Sequence, residues 1–349
     1  MEATDLIGWF ADIGLKDRSE VGGKGGSLGE LHRAGFAVPP GFVVKTAAFE
    51  RFVSVMDPHA GMRARVEALD AADLPAISSL SQELRARCEA AALPGEVADA
   101  IAAAHAALSA AGPVSVAVRS SATTEDAGDA SFAGLQDTYL WVSSLEDALD
   151  RVRSCWGSLY SVESLGYRRR RGFAEKDVAM AVVIQRMTDA RTAGVMFTRS
   201  PLTGDRSVIA IEASWGLGSA VVGGEVTPDR WVVGKITGDI SVREISTKRI
   251  RHAAADGGGI QVLEVAEELK SAACLTDEEI LALRAIGRRI ERHYGCAQDI
   301  EWAVDRHDNA ILLLQSRPET VWSAKDAAPV ARASANPSAH VLTIFGGRR

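Results

Sequence analysis

The chain has 349 residues, of which 47% are hydrophobic and 24% are charged, and its 39 basic and 46 acidic side chains give a formal net charge of −7. This length corresponds to about two domains, and the composition excludes an intrinsically disordered chain. The acidic balance argues against a general nucleic-acid binder, and no uninterrupted apolar run approaches the roughly 20 residues of a membrane span.

The four cysteines contain no C-x-x-C pair, which argues against a zinc ribbon or a thioredoxin-type redox pair. The first ten residues, MEATDLIGWF, lack the positive and apolar regions of a signal peptide. These features predict reduced cysteines and a cytoplasmic location.

The first third of the chain is predicted to begin with glycine-rich turns and to continue as helices. A short helix is expected over 27–34, and Gly35 ends it. Pro39-Pro40-Gly41 predicts a turn before a strand over 42–44. Residues 46–112 are interpreted as a helical scaffold, because alanine, the strongest helix former, is abundant there.

Beyond residue 112 the pattern becomes rich in β-branched residues. Strands are predicted over 114–118, 138–142, 178–184, 194–198, 207–212, 230–235 and 240–245. The strand over 194–198 is expected to form a hairpin with the one over 178–184. One long helix is predicted over 145–171, and the arginines at 168–171 are interpreted as its solvated end, with a partner-docking patch as the alternative. An amphipathic helix is predicted over 277–293, with Gly295 after its last turn; its apolar face is expected to contain Leu281, Leu283, Ile286 and Ile290.

The last predicted element is a β-hairpin with strands over 299–304 and 310–317. Because side chains alternate along a strand, Asp299 and Glu301 share one face of the first strand. One face of the second strand is expected to carry Gln315, Arg317, Ile311 and Leu313. If the two faces coincide, the carboxylate and amide oxygens would suit Mg²⁺ and the guanidinium would suit phosphate. An ion pair at a sheet edge is the equal alternative.

Two earlier segments carry residue types that bind anions. The first, Glu20–Gly29, combines glycines whose backbone amides can approach an anion with the charge of Lys24, although its spacing is not that of a Walker A loop. The second places Arg119 just after an apolar strand, and the small residues around 131–134 could form a lid over phosphate. A flexible turn and a Ser/Thr-type loop are the alternatives for these two segments.

Hydrolase chemistry is poorly supported. Gly25-Gly-Ser27-Leu-Gly29 matches the G-x-S-x-G pattern, but the preceding residues 14–24 are mostly polar or glycine, whereas a nucleophile elbow follows a buried strand. The seven histidines are scattered and form no H-E-x-x-H motif, so a zinc hydrolase is equally unsupported.

Taken together, these motifs resemble the ATP-binding domain of phosphoenolpyruvate synthase and pyruvate phosphate dikinase, a module also found in rifampin phosphotransferase and phenylphosphate synthase. The matching segments occur in the family's order: 22–30, 35–42, 118–126, 130–134, 194–198, 216–218, 228–229, 299–302 and 314–318. The chain departs from the family at Ser219, where an acidic residue is common, and at Leu135, where glutamine is common.

The resemblance implies an α+β fold of the ATP-grasp type, in which two lobes close on the nucleotide. The implied domains are an N-terminal lobe over 1–185 that includes the helical segment 46–112, a C-terminal lobe over 186–322 and a linker-like tail over 323–349. Lys24, Arg119 and Arg317 would be the catalytic residues, and Glu301 and Gln315 the Mg²⁺ ligands. The implied ATP-binding set is Lys24, Arg119, Ser131, Phe132, Ala133, Gly134, Gln185, Arg186, Met187, Asp299, Glu301, Gln315 and Arg317.

The implied activity is cleavage of Mg-ATP to AMP and phosphate with phosphorylation of a histidine on a separate swivelling domain or subunit. That histidine would pass the phosphoryl group to a small molecule, such as a phenol or pyruvate. The chain is expected to be an excised domain or a subunit of a split enzyme, because it contains no Thr- and Gly-rich histidine segment. The ATP domain of a rifampin phosphotransferase-like enzyme, an ATP-grasp ligase and a nucleotide-sensing module remain alternatives, and no nucleic-acid or membrane partner is expected.

Overall fold

Antiparallel strand pairing organises the chain into two main sheets, and helices cover them, so the fold is α+β as predicted. The computed structural model describes residues 5–59, 61–123, 126–127, 130–131, 137–320 and 322, and at 126–127 and 130–131 it describes the backbone only. No helix among these residues is both long enough and apolar enough to cross a membrane.

The first sheet is formed by the N-terminal part of the chain. Its strands are β1 (Ile7–Trp9), β2 (Gly41–Val44), β3 (Val116–Ala122), β6 (Thr138–Val142) and β7 (Met180–Arg186), and a separate small hairpin contains β4 (Asp126–Ala127) and β5 (Ala130–Ser131). The spatial order in the sheet is β1-β2-β7-β3-β6. Strand β7 therefore has β2 on one side and β3 on the other, and both of its edges are occupied.

Among the described residues, seven helices accompany this sheet: α1 (Arg18–Arg33), α2 (Thr46–Met56), α3 (Gly61–Glu67), α4 (Leu74–Ala90), α5 (Gly95–Leu108), α6 (Leu145–Ser158) and α7 (Val162–Arg171). Short 3₁₀ turns occur at Leu15–Asp17 and Glu175–Asp177. The predicted helical scaffold over 46–112 is confirmed. Its apolar side chains and those of α6 and α7 form one core with a face of the sheet, in which Trp156 packs against Phe49 and Phe52.

The second sheet is formed by the C-terminal part. Its strands are β8 (Ala190–Phe197), β9 (Val208–Trp215), β10 (Asp229–Gly234), β11 (Ile240–Glu244), β14 (Gln298–Asp305) and β15 (Ile311–Pro318), and β12 (Ile250–Ala254) with β13 (Ile260–Glu264) forms a separate hairpin. The helices are α8 (Ser219–Val222), α9 (Glu267–Lys270) and α10 (Asp277–Tyr294). The order is β11-β10-β9-β8-β14-β15. The predicted pairing of the strand over 194–198 with the strand over 178–184 is wrong, because β8 pairs with β9 and β14 while β7 has no free edge.

The single helix predicted over 145–171 is two helices. Helix α6 ends at Ser158, and Ser161 begins α7 by accepting a hydrogen bond from the backbone amide of Ser164. The interpretation of the arginine run as solvated is also wrong at Arg168, whose fully buried guanidinium makes two hydrogen bonds to the carboxylate of Glu175. A buried ion pair requires such bidentate geometry to offset desolvation.

Helix α10 has the predicted ends but a different buried face. Thr276 and Glu279 form a capping box at its start, and Gly295 adopts a left-handed conformation at its end. Its buried residues are Ile280, Leu283, Gly287 and Ile290. Leu281 is 41% exposed, because it lies one position away from this helical stripe.

The glycine-rich segment is a helix rather than a loop. Helix α1 spans Arg18–Arg33 with a break at Gly22, where φ is +70°. A Cβ on Gly22 would lie 2.1 Å from the carbonyl oxygen of Ser121 in β3, and a Cβ on Gly29 would lie 2.6 Å from the carbonyl oxygen of Ile13. The glycines therefore allow close packing of α1 against its neighbours.

Helix α1 lies between the two sheets. It contacts β3 and β7 of the first sheet and β15 of the second. Leu28 and Leu31 of α1 share a core with Val183 of β7 and with Trp302 and Leu313 of the terminal hairpin. This core fixes the terminal hairpin opposite β3, and the division into lobes at residues 185 and 186 stays a prediction.

We expect Gly22→Ala to destabilise the chain more than Gly35→Ala. Both glycines have positive φ, at 70° and 75°, but a Cβ on Gly35 has no atom within 4 Å. Gly35→Ala should cost about 1 kcal/mol of backbone strain, whereas Gly22→Ala adds an overpacking cost of about 1–3 kcal/mol. Urea unfolding of both variants measures the difference, and equal losses of unfolding free energy would contradict the close packing of α1 on β3.

Candidate functional site

Arg119 joins the two sheets. It is the fourth residue of β3, directly after the apolar stretch that begins the strand, and lies within the strand rather than after it as predicted, because β3 continues to Ala122. Its side chain is 10% exposed, and Nη1 donates to the carbonyl oxygen of Leu314 at 2.7 Å. Nη2 donates to Gln315 Oε1 at 2.6 Å and to Glu301 Oε2 at 3.0 Å. One guanidinium thus connects the first sheet to both strands of the terminal hairpin.

The register of the terminal hairpin brings its four polar side chains to one face. Asp299 pairs with Arg317, and Glu301 pairs with Gln315. The register then shifts, so that Trp302 faces Leu313 and Leu314 is the extra residue of a bulge.

The bulge corrects one prediction about this hairpin. Leu313 was expected beside Gln315, but the extra residue reverses the alternation, and Leu313 is buried with Trp302 in the core between the sheets. Ile311 packs against the same core. Leu314 is the residue that lies on the polar side, against Ala303.

A cavity of about 230 Å³, called here the acidic cavity, borders these polar groups. Its lining includes Glu212, Asp299, Glu301, Gln315 and Arg317. Arg317 is half exposed, and its Nε lies 3.5 Å from Asp299 Oδ2. The cavity therefore places three carboxylates and one amide beside a guanidinium that points toward solvent.

Asp299 is electrostatically unusual. Burial raises the pKa of Asp299 to about 6. The positive charge of Arg317 lowers this pKa in part, and the negative charge of Glu319 raises it further. Its Oδ1 is buried and has no hydrogen-bond partner among the described residues. Such an oxygen is available to a cation or to a ligand donor.

A second cavity, called here the apolar cavity, adjoins the first and measures about 260 Å³. Gln185, Arg186 and Met187, which connect the first sheet to the second, line it. The opposite walls contain mostly small or apolar residues: Ala117, Leu140, Ala193, Leu217, Ala303 and Leu314. Val222 and Glu301 line both cavities, so the two adjoin, and their linings differ: mainly small and apolar in one, with three carboxylates and a guanidinium in the other.

Backbone bonds fix the connecting segment on the rim of the apolar cavity. The amide of Arg186 donates to Pro40 O, and the amide of Met187 donates to Ser115 O. The side-chain amide of Gln185 is buried and donates to Pro39 O. These contacts give the segment a defined position against which a flat ligand can lie.

The remaining predicted site residues lie apart from these cavities or outside the described residues. Lys24 is half buried in α1 and does not line either cavity, but its charge partly offsets the burial that raises the pKa of the Cys155 thiol, behind β3. Ser131 is described only as backbone of β5, paired with Asp126. Phe132, Ala133 and Gly134, together with Leu135, lie outside the described residues.

Glu212 and Thr188 are among the cavity residues that sequence reasoning missed. Glu212 lies in β9 and lines the acidic cavity. An acidic residue inside the apolar run Val208–Trp215 was a usable signal for it. Thr188 follows the connecting segment and lines the apolar cavity, and its buried hydroxyl has no partner among the described residues. Nothing in the local pattern marks Thr188.

The acidic cavity suits an oxygen-coordinated divalent cation. Its donors are carboxylate and amide oxygens, and the unpartnered Asp299 Oδ1 points to a missing partner. Among the described residues no group of three or more His, Cys, Asp and Glu side chains has metal-binding geometry. Magnesium held by Glu301 and Gln315 would therefore need ligand oxygens from a nucleotide, which is the common arrangement for that ion.

We expect Asp299→Asn to change the pH dependence of stability. The folded chain holds the Asp299 proton up to about pH 6, whereas an unfolded aspartate loses it near pH 3.8. The folded state then binds more protons in this window, so this group lowers the free energy of unfolding as pH rises from 4 to 7, by at most about 2–3 kcal/mol. Asp299→Asn should gain stability relative to the parent over that range.

Urea unfolding at pH 4, 5.5 and 7 measures this effect, and Asp256→Asn, at an exposed turn, is the control. A difference between parent and Asp299→Asn that stays constant with pH would contradict the raised pKa.

The chain is similar to proteins of a known family. Residues 18–336 match the family described as "Pyruvate phosphate dikinase, AMP/ATP-binding domain". A rifampicin phosphotransferase from Streptomyces sp is 43% identical over 317 residues, which cover 90% of this chain and 36% of that protein. A probable phosphoenolpyruvate synthase from Methanothermobacter thermautotrophicus is 42% identical over 317 residues, covering 90% of this chain and 46% of that protein.

The phosphoenolpyruvate synthase of Pyrococcus furiosus is 37% identical over 356 residues, covering 90% of this chain and 44% of that protein. The chain spans less than half the length of each of these relatives. The family match nonetheless covers both cavities and every strand of the two sheets except β1. The chain therefore belongs to the family of AMP/ATP-binding domains of the pyruvate phosphate dikinase type.

Proposed function

We propose that the chain binds Mg-ATP between the two sheets as the ATP-binding part of a dikinase-type phosphotransferase of the ATP-grasp class. The adenine lies in the apolar cavity along Gln185, Arg186 and Met187, and the phosphates lie in the acidic cavity. The single observation that supports this most strongly is the Arg119 bridge, because it brings a cation from one sheet to the oxygens of Glu301 and Gln315 on the other.

The same bridge indicates how the residues act. Arg119 now occupies the oxygens of Glu301 and Gln315 that suit a divalent cation. When nucleotide enters, Arg119 turns toward the phosphates, and Glu301 and Gln315 become available as metal ligands. Bound Mg²⁺ would neutralise charge on the phosphates. Arg317 lies next to the phosphates and supplies further hydrogen-bond donors. The chain thus stabilises the transferring phosphoryl group by holding it in position and by offsetting its negative charge.

Lys24 and the segment containing Ser131, Phe132, Ala133 and Gly134 complete the proposed phosphate site. Lys24 adds positive charge from α1, which packs on the strand that carries Arg119. The proposal requires Lys24 to reach the phosphates when the nucleotide is bound. It also requires the segment 131–134 to cover them.

In the proposed reaction ATP gives AMP and phosphate, and a histidine on a swivelling domain or subunit becomes phosphorylated. If the pyrophosphoryl group is transferred, AMP leaves as the group moves to the histidine, and water then releases phosphate from the pyrophosphohistidine. If a phosphoryl group is transferred, water first releases the γ-phosphate, and the β-phosphoryl group then moves to the histidine as AMP leaves. That histidine passes the phosphoryl group to a small molecule. A cytoplasmic location fits the four free cysteines, which suit a reducing compartment. The acceptor would be a phenol or pyruvate; the 43% identity to a rifampicin phosphotransferase supports an antibiotic acceptor as the second candidate.

We expect Glu301→Ala to keep the fold and to abolish Mg-ATP-dependent phosphorylation of the histidine-bearing part of a relative supplied in trans. Glu301 is one-third exposed, so its loss costs little packing. The assay follows labelled phosphate on the histidine and AMP against ADP by chromatography. AMP supports the dikinase route, and ADP would favour an ATP-grasp ligase.

Glu244→Ala is the matched control, because it also removes a glutamate from an Arg–Glu pair on a strand of the second sheet, away from the cavities. It should transfer phosphate normally. Normal transfer by Glu301→Ala would refute the metal assignment, and binding of ATP without any turnover of the parent would favour a nucleotide sensor.

We expect Arg119→Ala to weaken Mg-ATP binding by about 1.5–3 kcal/mol, the scale of a hydrogen bond to a charged group. Isothermal titration calorimetry measures the affinity. Arg153→Ala is the control, since Arg153 likewise bonds a carboxylate and a backbone carbonyl but lies on α6. Unchanged affinity in Arg119→Ala would remove Arg119 from the phosphate site.

A further inference from the structure

Three polar side chains form a hydrogen-bonded series that ends at the apolar cavity. The hydroxyl oxygen of Ser219 lies 2.8 Å from His252 Nδ1, and His252 Nε2 lies 3.3 Å from Glu225 Oε2. Ser219 lines the apolar cavity, whereas His252 is buried behind it and Glu225 reaches solvent. None of the three belongs to the proposed metal or phosphate set.

Backbone contacts hold these three residues in place. Leu217, two residues before Ser219, donates its backbone amide to the carbonyl oxygen of His252 at 3.0 Å. Gly216 has φ of +79°, and a Cβ there would lie 2.4 Å from the same carbonyl oxygen. The backbone of His252 thus fixes the Gly-Leu-Gly turn, and its side chain fixes the serine that follows.

The hairpin that carries His252 also touches the first sheet. The amide of Gly259, in the turn between β12 and β13, donates to the carbonyl oxygen of Trp141 in β6 at 2.9 Å. Ser219 is therefore tied, through His252 and this hairpin, to both sheets that border the cavity.

The chemistry of the three groups decides what Ser219 offers to a ligand. A carboxylate can only accept hydrogen bonds, so His252 Nε2 carries the proton that points to Glu225. In the uncharged ring Nδ1 is then an acceptor, and it takes the hydroxyl proton of Ser219. The lone pairs of the Ser219 oxygen remain, and Ser219 becomes an acceptor for a donor in the cavity.

The position of Ser219 decides which donor it meets. Val222, on the next turn of the same helix, lines both the apolar and the acidic cavity. Ser219 therefore lies near the junction of the two. In a nucleotide whose base fills the apolar end and whose phosphates fill the acidic end, the sugar lies at that junction, and the donors of the sugar are its hydroxyl groups.

We propose that Ser219, oriented by His252 and Glu225, accepts a hydrogen bond from a ribose hydroxyl and makes the chain select ribonucleotides over deoxyribonucleotides. This inference rests on the proposed binding of ATP between the sheets. Ser219 contacts the substrate, whereas His252 and Glu225 are positioning residues.

The test compares ATP with 2′-deoxy-ATP and 3′-deoxy-ATP by calorimetry on the 349-residue chain. The parent should bind ATP about three- to tenfold more tightly than one of the two analogues, as one hydrogen bond predicts. In Ser219→Ala the affinity for ATP should fall to that of this analogue, whose own affinity should not change. Glu225→Ala should reduce the ratio without altering the affinity for the analogue.

Ser54→Ala, an exposed serine on α2, is the control and should keep the ratio of the parent. Equal binding of all three nucleotides by the parent would overturn the inference while leaving ATP binding intact, and this arm needs no variant. An equal loss for all three nucleotides in Ser219→Ala would overturn it as well. Failure of the parent to bind any nucleotide would instead refute the proposed function.

Discussion

The hydrogen bonds of one guanidinium relate the two sheets to each other. Arg119 rises from β3 of the first sheet and bonds a backbone carbonyl and two side-chain oxygens of the terminal hairpin in the second. A buried arginine needs such partners, because an unpaired charge away from water is costly. The groups that satisfy it are those that suit a metal-bound triphosphate. The hydrogen bonds of Arg119 that hold the two sheets together are therefore also ones that a bound nucleotide would have to replace.

The contact of Arg119 with the second sheet depends on the close packing of α1 between the sheets. The helix lies between β3 and β15, and Gly22 lets it approach β3 closely. Ser27 extends the contact, since its hydroxyl donates to the carbonyl oxygen of Ser316, next to Gln315. A larger side chain at the contact with β3 would displace either α1 or the strand that carries Arg119. The glycine-rich sequence thus supports the site through the close packing of α1, independently of the contact proposed between Lys24 and the phosphates.

The change from an apolar to a charged lining along the two adjoining cavities determines the orientation proposed for the nucleotide. Small and apolar side chains line one end, carboxylates and an arginine line the other, and Glu301 and Val222 lie between them. A ligand with a flat apolar part and a polyanionic part matches this gradient in one orientation only. The polar chain that ends at Ser219 adds an acceptor near the middle. In the proposed complex, the base, sugar and phosphates would each have a separate chemical environment.

The sequence by itself determined the local elements and the types of chemistry. Alternation in the terminal hairpin predicted that Asp299 and Glu301 share a face, and alanine content predicted the helical scaffold, because both depend on near neighbours in the chain. The sequence-based prediction placed Leu313 on the wrong face of its strand, because one bulged residue reverses the alternation. It also paired β8 with β7, because the neighbours of a strand are decided only when all strands of the sheet are in place. Contacts between distant residues, such as Arg119 with Gln315 and Ser219 with His252, were decided by the tertiary structure. No local pattern encodes which of many distant polar groups will satisfy a buried one.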